Sequence, residues 1–215
     1  MTENLFEAQY DVSKKSKLRR IYDTYKVWIY SSIIIFFILF GSFSFYIENK
    51  EKKKILLSEK YFQAKIHLKE NRKEEGYKLL QEILFSNDST YSTLSFFLII
   101  NESLVVDNQK LLSFFDHLLE NNKFSDEIKN LLIYKKALMN ADYISESDLL
   151  ESMKPLLNSE SLWKPHGLLL LGDYFVSKKE NVKAIEFYQK IFTIKDLHEN
   201  LYNHARSQLI LISNE

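Results

Sequence analysis

The stretch Leu168–Ile191 reads LLLLGDYFVSKKENVKAIEFYQKI, and its pattern of small and large apolar residues decides the fold class. On both sides of its polar centre, apolar residues recur at three- and four-residue spacing, which is typical of helices. Gly172 and Ala184 lie twelve residues apart, and small side chains there allow two antiparallel helices to approach closely. Phe175 and Tyr188 then fill the space beside them. The stretch therefore predicts a closely packed helix pair.

The same spacing of small residues recurs earlier in the chain. Ala64 and Gly76 are also twelve residues apart, and Ala137 precedes Gly172 by 35 residues. That interval is close to the ~34-residue period of tetratricopeptide repeats, and the stretch quoted above resembles their signature. An ordinary helical bundle remains the alternative. The predicted signature positions are Ala64, Gly76, Ala137, Leu168, Leu171, Gly172, Phe175, Ala184 and Tyr188.

Apolar stripes separated by polar turn clusters predict helices through the rest of the chain after residue 48. Four glycines and two prolines leave few residues for hairpin turns, so no sheet is expected. Short loops make consecutive helices antiparallel neighbours. We expect an all-α fold, with an α-solenoid of about four helix pairs and a C-terminal capping helix. The predicted helices cover 57–68, 77–84, 91–101, 111–119, 124–140, 145–155, a stretch from Pro165 onward, 181–194 and 197–212.

An uncharged run, Val27–Ile47, precedes this helical part. Its 21 residues span about 31 Å as a helix, which matches the hydrocarbon thickness of a bilayer. We favour a transmembrane helix that is retained in the mature protein. A cleaved signal peptide, with a small-x-small site at 42–44, and a buried core helix are the alternatives. The expected organisation is a tail over 1–26, the transmembrane helix over 27–47 with lipid around it, and the repeat domain over 48–215.

Charge does not fix the orientation of this helix. Six cations precede the run and six follow it within twenty residues, so the positive-inside rule gives a tie. The cations are Lys14, Lys15, Lys17, Arg19, Arg20 and Lys26 before the run, and Lys50, Lys52, Lys53, Lys54, Lys60 and Lys65 after it.

Composition argues against several functional classes. The chain has no cysteine, which excludes disulfides, thiolate metal sites and thiol catalysis. Residues 48–215 carry 23 basic and 25 acidic side chains, so no strongly basic face is expected there and a nucleic-acid partner is not indicated. The histidines at 67, 117, 166, 198 and 204 have no metal-binding spacing, and no phosphate loop occurs. We therefore expect no catalytic residue, no metal and no cofactor.

The layout resembles the ancillary SecYEG translocon subunit (YfgM-like) family. Leu149–Leu156 is similar to that family's Leu-Leu-x-x-x-x-Pro-Leu helix end, and Ser161–Lys164 to its Ser-Pro-Trp-Arg loop. The resemblance implies a single-pass protein of the bacterial inner membrane, with a cytoplasmic N-terminus and a periplasmic repeat domain. It also implies a non-enzymatic role beside the Sec translocon, with translocon components, periplasmic chaperones or other envelope proteins as partners.

Two functional hypotheses follow. In the first, the protein is a membrane-anchored scaffold whose repeat domain binds protein segments in an exposed groove. In the second, it is an assembly or regulatory subunit of a membrane complex, and the transmembrane helix itself makes the contacts through its small residues. Those small residues are Ser31, Ser32, Gly41, Ser42 and Ser44.

Overall fold

A computed structural model describes residues 3–213, with side chains for Tyr22, 25–28 and 30–213. Every regular element within these residues is an α-helix, which confirms the all-α prediction. The side chains of the cationic tail segment, Lys14 to Arg20, lie outside the described ones. Over 3–213 the helices are α1 (Glu3–Lys69), α2 (Lys73–Leu84), α3 (Tyr91–Asn101), α4 (Asn108–Asn121), α5 (Asp126–Asn140), α6 (Glu146–Leu157), α7 (Lys164–Ser177), α8 (Asn181–Ile191) and α9 (Glu199–Ser213).

Helix α1 contains both the apolar run and the first helix predicted after it. No glycine or proline occurs between Ser42 and Arg72, so nothing in the sequence breaks the helix there. The chain nevertheless divides into two compact units, Met1–Leu56 and Leu57–Glu215. The second unit thus begins nine residues after the expected start of the domain at Glu48.

The core of the second unit consists of two clusters of buried side chains. One extends from Ala64 to Leu132, and the other from Ile133 to Ile212. Leu119 packs against both, so α4 and α5 join the two parts of the core. Each fully buried leucine, isoleucine or phenylalanine contributes about 1.5–3 kcal/mol relative to an exposed one.

From α2 to α9, every helix packs against its neighbour in sequence. In addition, α5 contacts α7, and α7 contacts α9. These two contacts between next-but-one helices place α7 against α5, α6, α8 and α9. The stretch Leu168–Ile191, from which the helix pair was predicted, therefore lies at the most densely packed part of the unit.

Several helices end in a left-handed residue that is not glycine. Asn71, Ser103 and Lys179 have φ angles of 61°, 50° and 61°. At Lys179 the amide donates to Val176 O at 2.9 Å, and the next amide donates to Phe175 O at 2.9 Å. These two hydrogen bonds form a Schellman motif, which closes the last turn of α7.

Ser145, where the sequence predicts a helix to begin, caps helix α6. Its Oγ accepts a hydrogen bond from the amide of Asp148 at 3.2 Å and donates to Oδ2 of the same residue at 2.7 Å. The serine thus satisfies one of the free amides of the first turn.

Candidate interaction surfaces

The predicted pair of small residues lies where α7 and α8 approach each other. Gly172 is buried against the ring of Tyr188, and a Cβ atom there would lie 2.4 Å from Cε1. Ala184 and Phe175 are fully buried beside them. The ring of Tyr188 therefore occupies the space that any larger residue at position 172 would need.

The hydroxyl group of Tyr188 joins three helices. It donates a hydrogen bond to Oδ1 of Asp173 at 2.6 Å, and Nε2 of His204 on α9 lies 3.4 Å from the same oxygen. Burial raises the pKa of Tyr188, and the hydrogen bond and negative charge of Asp173 raise it further. The hydroxyl consequently remains protonated and acts as a donor at physiological pH.

The other predicted signature residues are also buried. Ala64 and Leu171 are fully buried, and Ala137 and Leu168 nearly so. A Cβ atom on Gly76 would lie 2.8 Å from Cδ2 of Leu68 and 3.2 Å from the carbonyl oxygen of Ala64. All of these residues therefore hold helices together, and a docked partner would not contact them.

Two close approaches were not predicted from the sequence. A Cβ atom on Gly167 would lie 2.9 Å from both Leu156 Cδ2 and Met153 Cε, so this glycine allows α6 to pack on α7. On α3, Ser92 and Ser95 are fully buried, and Ser92 Oγ donates to Ile83 O at 3.1 Å. The available signal was an unusually apolar helix whose few polar residues include these two serines.

A cleft of about 780 Å³ lies between the loop that precedes α7 and the loop that joins α8 to α9. His166 lines it, with Tyr134 and Trp163 packed against the imidazole ring at centroid distances of 5.7 and 5.2 Å. Burial lowers the pKa of His166, and the charges of Lys135 and His198 act in the same direction, while the backbone of Leu162 opposes them. The imidazole is thus held neutral.

The loop before α7 is fixed by a carboxylate from another helix. Glu127 on α5 accepts hydrogen bonds from Ser161 Oγ at 2.8 Å and from the amide of Leu162 at 3.3 Å. Ser161 Oγ in turn accepts from the amide of Trp163 at 3.1 Å. This network holds the exposed side chain of Leu162 at the edge of the cleft.

The chemical groups of a metal site do not come together in the described part of the chain. Among the described residues, no group of three histidine, cysteine or carboxylate side chains is placed to hold a metal ion. His117 instead contacts Asn87 Oδ1 at 3.0 Å, and His67 lies 3.0 Å from a carboxylate oxygen of Glu75. The first contact ties α4 to the loop between α2 and α3, and the second joins α1 to α2.

Among the described residues, one helical segment is long and apolar enough to cross a membrane, and it lies in α1. The described side chains from Val27 to Leu56 are all exposed. Ser31 Oγ donates to Val27 O at 2.7 Å, and nothing lies within 4 Å of a Cβ atom built on Gly41.

Comparison with family models, with curated proteins and with solved structures found no match to this chain.

Proposed function

We propose that the protein is a membrane-anchored scaffold that binds other proteins through its second unit, the helical unit that begins at Leu57. The observation that carries the proposal is the exposure of the described side chains of Val27–Ile47, an uncharged helical segment of bilayer length, in a chain whose second unit has its own core. A core helix would be buried, whereas these apolar side chains are open to solvent and require lipid around them.

A repeated arrangement of buried side chains supports a solenoid for the second unit. In α2, α4, α6 and α8, buried residues recur with i, i+4, i+7 spacing. The contacts of α5 with α7 and of α7 with α9 are those expected when the first helices of successive pairs stack. The buried triplets are Gly76/Leu80/Ile83, Leu111/Phe115/Leu118, Leu149/Met153/Leu156 and Ala184/Tyr188/Ile191.

The first helices of the pairs support the same arrangement. Ala64, Ala137, Gly172 and Ala205 are buried small residues on α1, α5, α7 and α9. Helix α3 departs from the pattern, because it buries two serines beside Phe96 and Ile99. In this arrangement α9 is the first helix of an incomplete fifth pair and acts as the cap.

The more specific role rests on the resemblance to the ancillary SecYEG translocon subunits. In that role the protein lies in the bacterial inner membrane, with its N-terminus in the cytoplasm and the helical unit in the periplasm. Its partners are the translocon and periplasmic chaperones or other envelope proteins.

Affinity purification of the full chain from crosslinked membranes tests this role. We expect translocon and chaperone components to be recovered, and their absence would overturn it.

Protease treatment of spheroplasts tests the orientation, since a helical unit that stays protected would contradict a periplasmic location. The intact mass of the purified protein distinguishes a retained span from cleavage near Ser42–Ser44.

A second candidate function assigns the contacts to the membrane-spanning segment itself. The exposed serines and the open surface at Gly41 favour it, since small residues allow another helix to approach closely in lipid. Replacement of Val27–Ile47 by polyleucine would abolish activity in that case. A replacement that leaves partner recovery unchanged would support the anchor role.

A further inference from the structure

An open groove lies between the C-terminal end of α1 and helix α3, and we call it the α1–α3 groove. Its volume of about 430 Å³ falls within the ~300–1,000 Å³ of typical ligand pockets. The residues that line it are Phe62, Lys65, Ile66, Leu68, Lys69, Leu98 and Glu102.

Apolar side chains line both sides of the groove and remain open to solvent. On α1, Phe62 is 63% exposed and Ile66 is 39% exposed. On α3, Leu98 lines the groove and is half-buried, and Leu94, one turn earlier on the same face of the helix, is 43% exposed. Two ridges of large apolar residues thus stand next to each other, and their burial by a partner would be favourable.

Cations accompany these apolar ridges. Lys65 and Lys69 are four residues apart on α1, so they lie on one face of the helix, and both are exposed. Neither forms an ion pair with any residue between 22 and 213 whose side chain is described. Glu102 is the acidic residue among those that line the groove. The groove therefore offers apolar anchoring sites with two available positive charges.

We propose that the α1–α3 groove docks an acidic amphipathic segment of a partner protein. Apolar residues of the segment pack against Phe62 and Ile66, and its carboxylates meet Lys65 and Lys69. This combination is the usual recognition mode for amphipathic helices, in which apolar residues at i, i+3 or i+4 enter a groove and charge complementarity fixes the orientation. The proposal rests on the proposed function as a protein-binding scaffold, and it identifies one site and the chemistry of its occupant.

A selection experiment with the full chain in neutral phosphatidylcholine nanodiscs tests the proposal. The probe is a displayed library of random peptides about eleven residues long, or three helical turns. We expect enrichment of peptides with apolar residues three or four positions apart and with Asp or Glu beside them. Selection against the Lys65→Glu/Lys69→Glu variant is expected to enrich Lys and Arg instead. The proposal is overturned if peptide recovery is no greater than on empty nanodiscs, or if the wild-type chain and the Lys65→Glu/Lys69→Glu variant enrich the same peptides.

The affinity of the most enriched peptide provides a second measurement. Phe62→Ser is expected to weaken binding about tenfold, because it removes a central aromatic anchor. The matched control is Val182→Ser, which removes an apolar side chain that is 74% exposed and lies outside the groove. Equal losses in both variants would show that the groove is not the binding site.

Two further measurements test other occupants of the α1–α3 groove. If vesicles rich in phosphatidylglycerol bind the wild-type chain and displace the peptide, the groove is a lipid-binding surface. If Phe62→Ser dissociates a dimer of the chain, the groove is a self-association surface. Either result would overturn the proposal.

Crosslinking of the variants separates this site from the general function. If a Phe62→Ser chain still recovers every protein partner, the scaffold role stands, but the α1–α3 groove is not one of its binding sites. A wild-type chain that recovers no protein at all would instead overturn the scaffold role.

Discussion

Gly172 on α7 and Tyr188 on α8 occupy one point of the interface between their helices. A Cβ atom on Gly172 would lie within 2.8 Å of three ring atoms of Tyr188. The ring is fully buried, and its hydroxyl is held by Asp173 at 2.6 Å. Since the tyrosine is fixed at both ends, it cannot move aside for a larger neighbour.

Gly172→Ala is therefore expected to destabilise the second unit, by about 1–3 kcal/mol, despite the higher helix propensity of alanine. Urea unfolding of the full chain in nanodiscs, followed by circular dichroism, measures the change. The matched control is Gly41→Ala, since nothing lies within 4 Å of the added methyl group. We expect no destabilisation there, and equal effects at both positions would contradict the packing argument.

Tyr188→Phe removes the hydrogen bond to Asp173 and retains the ring. The expected loss of unfolding free energy is about 0.5–1.5 kcal/mol at neutral pH. Asp173 is half exposed and remains close to His204, so its carboxylate stays solvated.

The pH dependence of Tyr188→Phe provides a separate check. Burial and Asp173 raise the pKa of Tyr188 in the folded state, whereas the unfolded chain titrates at about pH 10. The folded state therefore retains a proton that the unfolded state loses, and wild-type stability falls as the pH rises above about 10. We expect the decline to be shallower in the variant. If the unfolding free energies of wild type and variant fall in parallel with pH, Tyr188 ionises equally in the folded and unfolded states.

His166 is expected to destabilise the fold in acid. Its pKa is lowered by burial, so the unfolded chain takes up a proton at about pH 6.5 while the folded chain stays neutral. The stability contributed by the neutral imidazole is thus present above that pH and is lost as the pH falls further.

The NMR titration of His166 measures this pKa directly. Lys135→Gln removes one of the charges that lower it, so the pKa of His166 is expected to rise in that variant. A His166 resonance that titrates at the usual value in wild type would contradict the burial argument.

The local elements were well predicted from the sequence, because each depends on short-range patterns. Helix α3 begins and ends at the predicted residues Tyr91 and Asn101, and the N-cap of α6 is Ser145, the first residue of the predicted helix 145–155. Helix α1 passes without interruption from the apolar run into the first helix predicted after it. The charged segment that joins them contains no residue that stops a helix.

The interaction surfaces were less predictable, because they depend on residues far apart in the chain. Phe62 and Leu98 belong to different helices, and only the folded arrangement places them along one groove. The buried Ser92 and Ser95 could not be distinguished from exposed serines by spacing alone, since serine is compatible with both environments.

Lys179 provides a test of how this chain ends its helices. Its φ angle of 61° is unfavourable for a residue with a side chain, and glycine adopts it without steric cost. Lys179→Gly is therefore expected to stabilise the second unit by about 1 kcal/mol. The matched control is the preceding residue, Lys178, which has a φ angle of −86° and whose ammonium lies 5.2 Å from the ring centroid of Tyr174. Lys178→Gly should destabilise the unit, because it adds backbone freedom and removes that contact. Thermal unfolding of the two variants measures both effects, and a shift of the same sign in each would contradict the role of the left-handed residue.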